Sequence, residues 1–207
     1  PPALLGAAAV PPPAAIEALV PIWGDIDGDG EREVVVTVSD AAVGARIVAF
    51  AADGALLAEG PAIGTGYRWR HPIAVAPFGP AAEPEIAVVR TPHIGGIAEF
   101  YRREGASLII VASTAGVSSH RIGSRDLDQA IAGDLDGDGR VELLVPSQGF
   151  DRLIALRRVE PDGVMSPWEL PLPAPLASNL AAASDDAGLV LGAGLEDGRL
   201  RLWLGGP

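Results

Sequence analysis

The sequence Gly24-Asp25-Ile26-Asp27-Gly28-Asp29-Gly30-Glu31-Arg32-Glu33-Val34-Val35-Val36 has a second copy 109 residues later, Gly133-Asp134-Leu135-Asp136-Gly137-Asp138-Gly139-Arg140-Val141-Glu142-Leu143-Leu144-Val145. In each copy three aspartates alternate with other residues, a glycine follows, and a glutamate precedes an apolar run. A short apolar run of Val or Leu is typical of a buried strand, and the acidic spacing is typical of a cation-binding loop. The pattern therefore predicts two metal loops, each leading directly into a β-strand.

The acidic loops offer oxygen ligands, which Ca²⁺ prefers in sets of six to eight. Alternate side chains can point to one centre, and the glycine at position six permits the sharp turn. We therefore predict two Ca²⁺ sites with ligands of the same kind. These are Asp25, Asp27, Asp29, the Glu31 carbonyl and Glu33 in the first copy, and Asp134, Asp136, Asp138, the Arg140 carbonyl and Glu142 in the second.

An EF-hand is the main alternative for such loops, and it requires a bidentate glutamate at position twelve and flanking helices. Position twelve is Val36 in one copy and Val145 in the other, and both lie inside apolar strand-like runs. The EF-hand interpretation is therefore disfavoured. An acidic turn that holds no metal is the remaining alternative.

Short apolar runs bounded by Gly, Pro, Asp and Ser cover the chain, and no long helical period is present. Such a run begins after each of three glutamates, Glu33, Glu85 and Glu142. A degenerate fourth copy of this pattern spans residues 184–191. The repeat of about 50 residues predicts an all-β fold, a β-propeller of about four four-stranded blades. We expect one domain over 1–207, with blades at about 19–60, 71–113, 129–170 and 179–204. A sandwich with coincidental spacing is the alternative.

The segment Ala3–Val10 is apolar and precedes the first expected blade, whereas the fourth blade lacks an outer strand. We predict that Ala3–Val10 supplies this strand and closes the ring. Residues 1–16 carry no charge, but five prolines interrupt them, which argues against a transmembrane helix. The chain starts without Met or a basic segment, so we expect a processed, extracytoplasmic bacterial protein, periplasmic or secreted.

The overall composition restricts the function classes. The net charge is −12, and a protein that binds nucleic acid needs a basic surface, so a nucleic-acid partner is disfavoured. The chain has no cysteine, which excludes disulfides and cysteine-based zinc sites. The acidic balance fits the binding of divalent cations.

The two Gly-Asp-x-Asp-Gly-Asp-Gly-x-x-Glu loops resemble the FG-GAP (VCBS-type) repeat of the integrin α-subunit propeller and its bacterial relatives. Residues 77–86, which contain Phe78-Gly79 and end in Glu85-Ile86, resemble a degenerate copy without the aspartates. The resemblance implies Ca²⁺ sites between the first two strands of a blade, with a mainly structural role. Integrin propellers have seven blades, whereas this chain has the length for about four.

Loops at the other end of the expected blades carry all three histidines and many arginines. Arginine binds carboxylate, sulfate or phosphate through its planar fork, and aromatic rings stack on sugars or peptides. We therefore predict an anion-binding surface, called here the histidine–arginine face. It comprises Arg68, Trp69, Arg70, His71, His93, His120, Arg121 and Arg125.

Two other interpretations of this face stay open. The arginines can pair with nearby aspartates and merely hold the loops, with Asp40, Asp126, Asp128 and Asp151 as the partners. A three-histidine zinc site is a weaker alternative, because the histidines come from separate loops without a ligand spacing.

We expect a Ca²⁺-binding, non-enzymatic module whose partner is a protein or an anionic glycan or peptide. A subunit of a larger envelope complex is a related hypothesis. The alternative is a lyase or hydrolase acting on a polysaccharide or glycan through the histidine–arginine face. No Ser-His-Asp order, HExxH motif or paired-carboxylate motif supports that alternative.

Overall fold

The computed structural model describes residues 1–66, 68–185 and 188–205, and it is built from seventeen β-strands. None of these residues is helical, so the described chain has no helix able to cross a membrane. The prediction of an all-β fold is confirmed. Asp186 and Ala187, in the degenerate fourth copy, lie outside the described residues.

The strands form four successive antiparallel sheet units. Unit 1 contains β1 (Ala15–Ile16), β2 (Ile22–Gly24), β3 (Glu33–Asp40), β4 (Gly44–Phe50) and β5 (Leu56–Glu59). Unit 2 contains β6 (Arg70–Ala76), β7 (Glu85–Arg90), β8 (Ile97–Glu104) and β9 (Ser107–Ala115). Unit 3 contains β10 (Ile131–Gly133), β11 (Glu142–Pro146), β12 (Arg152–Val159), β13 (Gly163–Met165) and β14 (Glu169–Pro171). Unit 4 contains β15 (Ala181–Asp185), β16 (Gly188–Gly194) and β17 (Leu200–Leu204).

Neighbouring strands within each unit pair in chain order, with two local variations. In unit 1, β1 and β2 both pair with β3, so the first strand is interrupted between Ile16 and Ile22. In unit 3, β13 and β14 both pair with β12. One parallel bridge, Glu59 to Ser107, joins units 1 and 2 into a continuous nine-stranded sheet.

The core lies between successive units, and strand β7 shows why its sequence is apolar throughout. Ile86 and Val88 pack toward unit 1, whereas Ala87 and Val89 pack toward unit 3. Successive side chains of a strand point to opposite faces, so a sheet that is covered on both faces needs a continuous apolar run. Strand β11 repeats this arrangement between units 2 and 4.

The N-terminal segment does not form the predicted strand. Residues 1–11 have no strand pairing, and Gly6 lies against the backbone of Asp53 in unit 1. Val10, Ala14 and Ala18 then pack on the apolar outer face of unit 1, formed by Val36, Val38, Val48 and Phe50. The prediction that Ala3–Val10 completes the fourth unit is therefore wrong, because this face of unit 1 takes the segment instead.

The outer face of unit 4 has no such cover in the described chain. Leu200, Leu202 and Leu204 of β17 are 70%, 65% and 82% exposed, and they alternate with Arg201 and Trp203. Trp203 packs toward unit 3, so the leucines face the opposite way. Unit 4 therefore presents a bare apolar sheet face.

Strand β2 packs closely on β6, and Gly24 is the residue at the contact. A Cβ added at Gly24 would lie 2.3 Å from Val75 Cβ, whereas one added at Gly133 in unit 3 would meet only Leu135 Cδ2 at 3.4 Å. We expect Gly24→Ala to lower the free energy of unfolding by about 1–3 kcal/mol through overpacking. Gly133→Ala, the matched control, should change it by less than about 1 kcal/mol. Equal effects in urea unfolding would contradict this account of the contact.

Candidate functional site

The two acidic loops connect equivalent strands and have the same internal hydrogen bonds. Asp25 accepts hydrogen bonds from the amides of Gly28 (2.6 Å) and Gly30 (2.9 Å). Asp134 accepts the corresponding bonds from Gly137 (2.8 Å) and Gly139 (2.9 Å). Gly30 and Gly139 have φ of 89° and 84°, a conformation that glycine adopts without steric cost. The repeated sequence therefore gives a repeated loop structure.

A buried glutamate anchors each loop to its strand. Glu33 Oε2 accepts the amide of Ile26 at 2.9 Å, and Glu142 Oε2 accepts the amide of Leu135 at 3.0 Å. Both glutamates are buried at the first residue of β3 and β11. Burial raises the pKa of each carboxyl above its ordinary value, and the neighbouring Asp27 adds to this effect at Glu33.

Carboxylate oxygens converge in both loops, but the converging sets differ. In the first loop, oxygens of Asp25, Asp27 and Asp29 lie within 4.8 Å of one another. In the second loop, Asp134, Asp136 and Glu142 form the corresponding group. Glu33 and Asp138 do not join these groups. The amides of Glu31 and Arg140, whose carbonyls are predicted ligands, donate to Asp29 (2.8 Å) and Asp138 (2.9 Å).

An arginine that the sequence analysis missed lies inside the second loop. Arg157 of β12 contacts Asp136 at 2.9 Å, Asp138 at 2.7 Å and Glu142 at 2.8 Å. The indole of Trp168 also donates to Asp136 at 3.0 Å. In the first loop Arg103 of unit 2 pairs with Asp27 alone. The contact of Arg157 with the loop depends on the cross-strand register, and no local sequence pattern specifies that register.

The histidine–arginine face brings Trp69 and the three histidines into one aromatic cluster. Trp69 stacks on His71 with ring centres 5.1 Å apart, and the His93 and His120 rings meet edge to face at 4.5 Å. Ser119 Oγ bridges the Nδ1 atoms of His71 (2.8 Å) and His120 (3.0 Å). No histidine belongs to a converging group of metal-ligating atoms in the described residues, so the cluster gives no support to a zinc site.

Burial keeps two of these histidines neutral. His71 and His120 are buried, whereas His93 is exposed. Burial, with a smaller contribution from His120, lowers the pKa of His71 to about 3. Burial and the nearby His93 lower the pKa of His120 to about 4. The sequence analysis placed both residues on a ligand surface, but His71 and His120 lie beneath it.

Two of the four arginines of this face, Arg70 and Arg121, are already paired, and their partners are glutamates. Arg70 is buried and contacts Glu99 at 3.3 Å, and Arg90 contacts the same carboxylate at 2.6 Å. Arg121 pairs with Glu196. Of the four expected partners, Asp40 pairs with Arg46 and Asp151 with Arg152, at 3.2 and 3.0 Å. Asp126 and Asp128 make no ion pair within the described residues.

Two arginines of the face stay available. Arg68 is exposed and donates to the Ile63 carbonyl, and Arg125 is exposed; neither makes an ion pair in the described chain. Arg68, Trp69 and His93 line an open cleft of about 830 Å³. The cleft also contains two acidic side chains, Glu17 and Asp40. Arg68 therefore offers the cleft a guanidinium without an ion pair in the described chain, and the aromatic ring of Trp69 lines the same cleft.

The neutral histidine pair predicts a pH effect on stability. In the unfolded chain these histidines bind protons below about pH 6.5, whereas in the folded chain they do so only near pH 3–4. The unfolded state thus binds more protons as pH falls, and stability is lost from pH 6.5 downward. Between pH 6.5 and 5 we expect a loss of about 1–2 kcal/mol per histidine. His71→Gln/His120→Gln should flatten this slope in urea unfolding, and an unchanged slope would contradict the assignment.

Comparisons with known proteins show a fold likeness at low identity. No family model and no curated protein matches the chain. It is similar to the crystal structure of the exotype rhamnogalacturonan lyase YesX, with a TM-score of 0.57 and 19% identity, over 95% of this chain and 43% of that chain. It is also similar to BBS1N, solved in complex with ARL6DN, with a TM-score of 0.57 and 17% identity, over 98% of this chain and 60% of that chain. The chain thus spans about half the length of these proteins, and the likeness concerns the fold alone.

Proposed function

We propose that the chain is part of a calcium-binding β-propeller of the FG-GAP type that serves as a non-enzymatic binding module. One observation carries this proposal: two loops 109 residues apart share both their sequence and their hydrogen bonds. The same loop structure occurs twice, with three aspartates each time. Repulsion among these carboxylates makes the loop less stable than an ordinary turn unless a cation offsets the charge.

The arrangement of the sheets supports a propeller. Four antiparallel units follow one another in the chain, and each packs against its neighbour in the sequence, unit 1 on unit 2, unit 2 on unit 3 and unit 3 on unit 4. The first strands of units 1 and 2, β2 and β6, lie side by side, as they would around a central axis. In this proposal the units are blades, and the N-terminal segment caps the first blade rather than completing the last.

The donor set of the loops fits Ca²⁺. All side-chain ligands are carboxylates, which this hard cation prefers, and three of them already converge in each loop. The Glu31 and Arg140 carbonyls would add backbone ligands. Extracellular modules bind Ca²⁺ with dissociation constants of about 10⁻⁴–10⁻³ M. We therefore propose an extracytoplasmic, exported bacterial protein, free or as a subunit of an envelope complex.

The Trp69 cleft, defined by Arg68, Trp69, His93, Glu17 and Asp40, is the proposed ligand surface. It lies among the β3–β4 and β7–β8 loops, at the end of the units opposite to the acidic loops. Ser39 also lines the cleft, and its Oγ is buried and makes no hydrogen bond in the described chain. An anionic glycan or peptide would bind Arg68 and stack on Trp69.

Calcium should stabilise the chain. At about 100 times the dissociation constant, a ligand of the folded state adds about 2.7 kcal/mol, which for a domain of this size raises Tm by about 5–10 °C. Mg²⁺ at the same concentration should do less, because it demands a tighter octahedral site. Differential scanning fluorimetry after chelation measures both effects. An unchanged melting curve, with no metal in the purified protein, would exclude the proposal.

Binding of an anionic ligand should depend on Arg68. Arg68→Ala removes a charge-assisted hydrogen bond of about 1.5–3 kcal/mol, so affinity should fall roughly 10- to 100-fold. Arg199→Ala, which changes another exposed arginine outside the cleft, is the matched control. Screening on arrays of uronate-containing glycans and acidic peptides tests this. Equal retention of the two variants would remove the Trp69 cleft from the proposal.

A polysaccharide-active enzyme is the second candidate, and the likeness to a rhamnogalacturonan lyase favours it. The Trp69 cleft is lined by an exposed imidazole, His93, and by the carboxylates of Glu17 and Asp40, which are groups able to move a proton. A lyase product contains a new carbon–carbon double bond that absorbs ultraviolet light. Release of such a product from rhamnogalacturonan, lost in His93→Ala, would favour the enzyme over the binding module.

A further inference from the structure

The first three units place a buried glutamate at the same register position. Glu33, Glu85 and Glu142 begin β3, β7 and β11, directly after the loop from the preceding strand. In each unit the next strand in the chain pairs with the strand that begins at the glutamate. The register of this pair determines which residue lies opposite the glutamate. From the pairs Val34–Phe50, Ile86–Tyr101 and Leu143–Leu156, the opposite residues are Ala51, Arg102 and Arg157.

In units 2 and 3 the opposite residue is an arginine that neutralises the glutamate. Arg102 contacts Glu85 at 2.6 Å, and Arg158 from unit 3 contacts its other oxygen at 2.9 Å. Arg157 contacts Glu142 in the same way and also reaches two aspartates of the loop. The loop of unit 2 has no aspartates. Because arginines neutralise Glu85, unit 2 needs no metal.

Unit 1 lacks this internal cation. Glu33 is only 4% exposed, and it makes no ion pair with any arginine in the part of the chain that the structure describes. Three aspartates of the loop lie close by, and Ala51 stands where the other units have arginine. Arg103 reaches Asp27 from the neighbouring unit, but it does not contact the glutamate. A buried carboxylate among like charges is costly, and a cation bound from outside the chain would offset this cost.

We propose that the chain binds one divalent cation, in the 25–33 loop, and that the Arg157 guanidinium takes the place of a cation in the 134–142 loop. This inference rests on the calcium function proposed above, and it changes the number of ions. Arg157 is 9% exposed and contacts Asp136, Asp138 and Glu142 together. A metal in that loop would have to displace a buried guanidinium from three carboxylates, whereas among the described residues the first loop meets one arginine, Arg103, which contacts Asp27 alone.

The test is the stoichiometry of Ca²⁺ binding to the full chain, by equilibrium dialysis and calorimetry. The unmodified chain should bind one ion. Asp25→Asn/Asp27→Asn should abolish binding, whereas the matched pair Asp134→Asn/Asp136→Asn should leave it at one. Ala51→Arg should abolish binding by supplying the missing guanidinium, and Arg157→Ala should raise the stoichiometry to two.

The outcomes separate this inference from the function on which it rests. Two ions of similar affinity in the unmodified chain, or loss of the single ion in Asp134→Asn/Asp136→Asn, would overturn the role of Arg157 and leave calcium binding intact. No binding in any variant would overturn the calcium function itself. If Arg157→Ala does not fold, the two aspartate pairs in the otherwise unmodified chain still decide the question.

Discussion

The structure depends on how it accommodates one buried carboxylate in each of the first three units. Glu33, Glu85 and Glu142 stand where a loop enters the core, and the carboxylates of Glu33 and Glu142 also hold the loop through the amide of Ile26 or Leu135. Removing such a charge from water is costly, so each site must supply a counter-charge. Units 2 and 3 supply it with arginines, and Arg158 does so across the boundary between the two units. In unit 1, Glu33 has no arginine partner within the described residues, and the proposed cation would supply the counter-charge.

The acidic loops and the proposed ligand surface lie at opposite ends of the strands. The acidic loops lie at one end of the sheet units and are closed by their own backbone amides. The Trp69 cleft lies at the other end, above a buried layer in which His71, His120 and Ser119 bond to one another. Because Arg70 and Arg90 are both committed to Glu99, the free positive charge of the cleft is concentrated on Arg68. Few charged side chains of the cleft are therefore left for the proposed anionic ligand.

The sequence predicts the all-β fold and the acidic loops because both arise from local patterns: apolar runs, glycine turns and alternating aspartates. It does not predict which arginine meets which acid. Glu99 and Arg157 acquire their partners through cross-strand register and the packing of separate units, and neither carries a local signal. The same reason explains the buried histidines, whose burial depends on loops far apart in the chain. The N-terminal segment was placed on the wrong unit because apolar composition alone does not specify a docking face.

The two ends of the row of sheets are not equivalent. At unit 1, Val10 and Ala14 seal the apolar face, whereas at unit 4 the side chains of Leu200, Leu202 and Leu204 stand in solvent. The apolar face of unit 4 is therefore still available for hydrophobic packing, whereas the apolar face of unit 1 is already covered. The two ends therefore differ in how they can accept another sheet. A sheet can pack on the exposed leucines of β17 without rearrangement. A sheet can pack on the outer face of β3 and β4 only after the N-terminal segment has left that face.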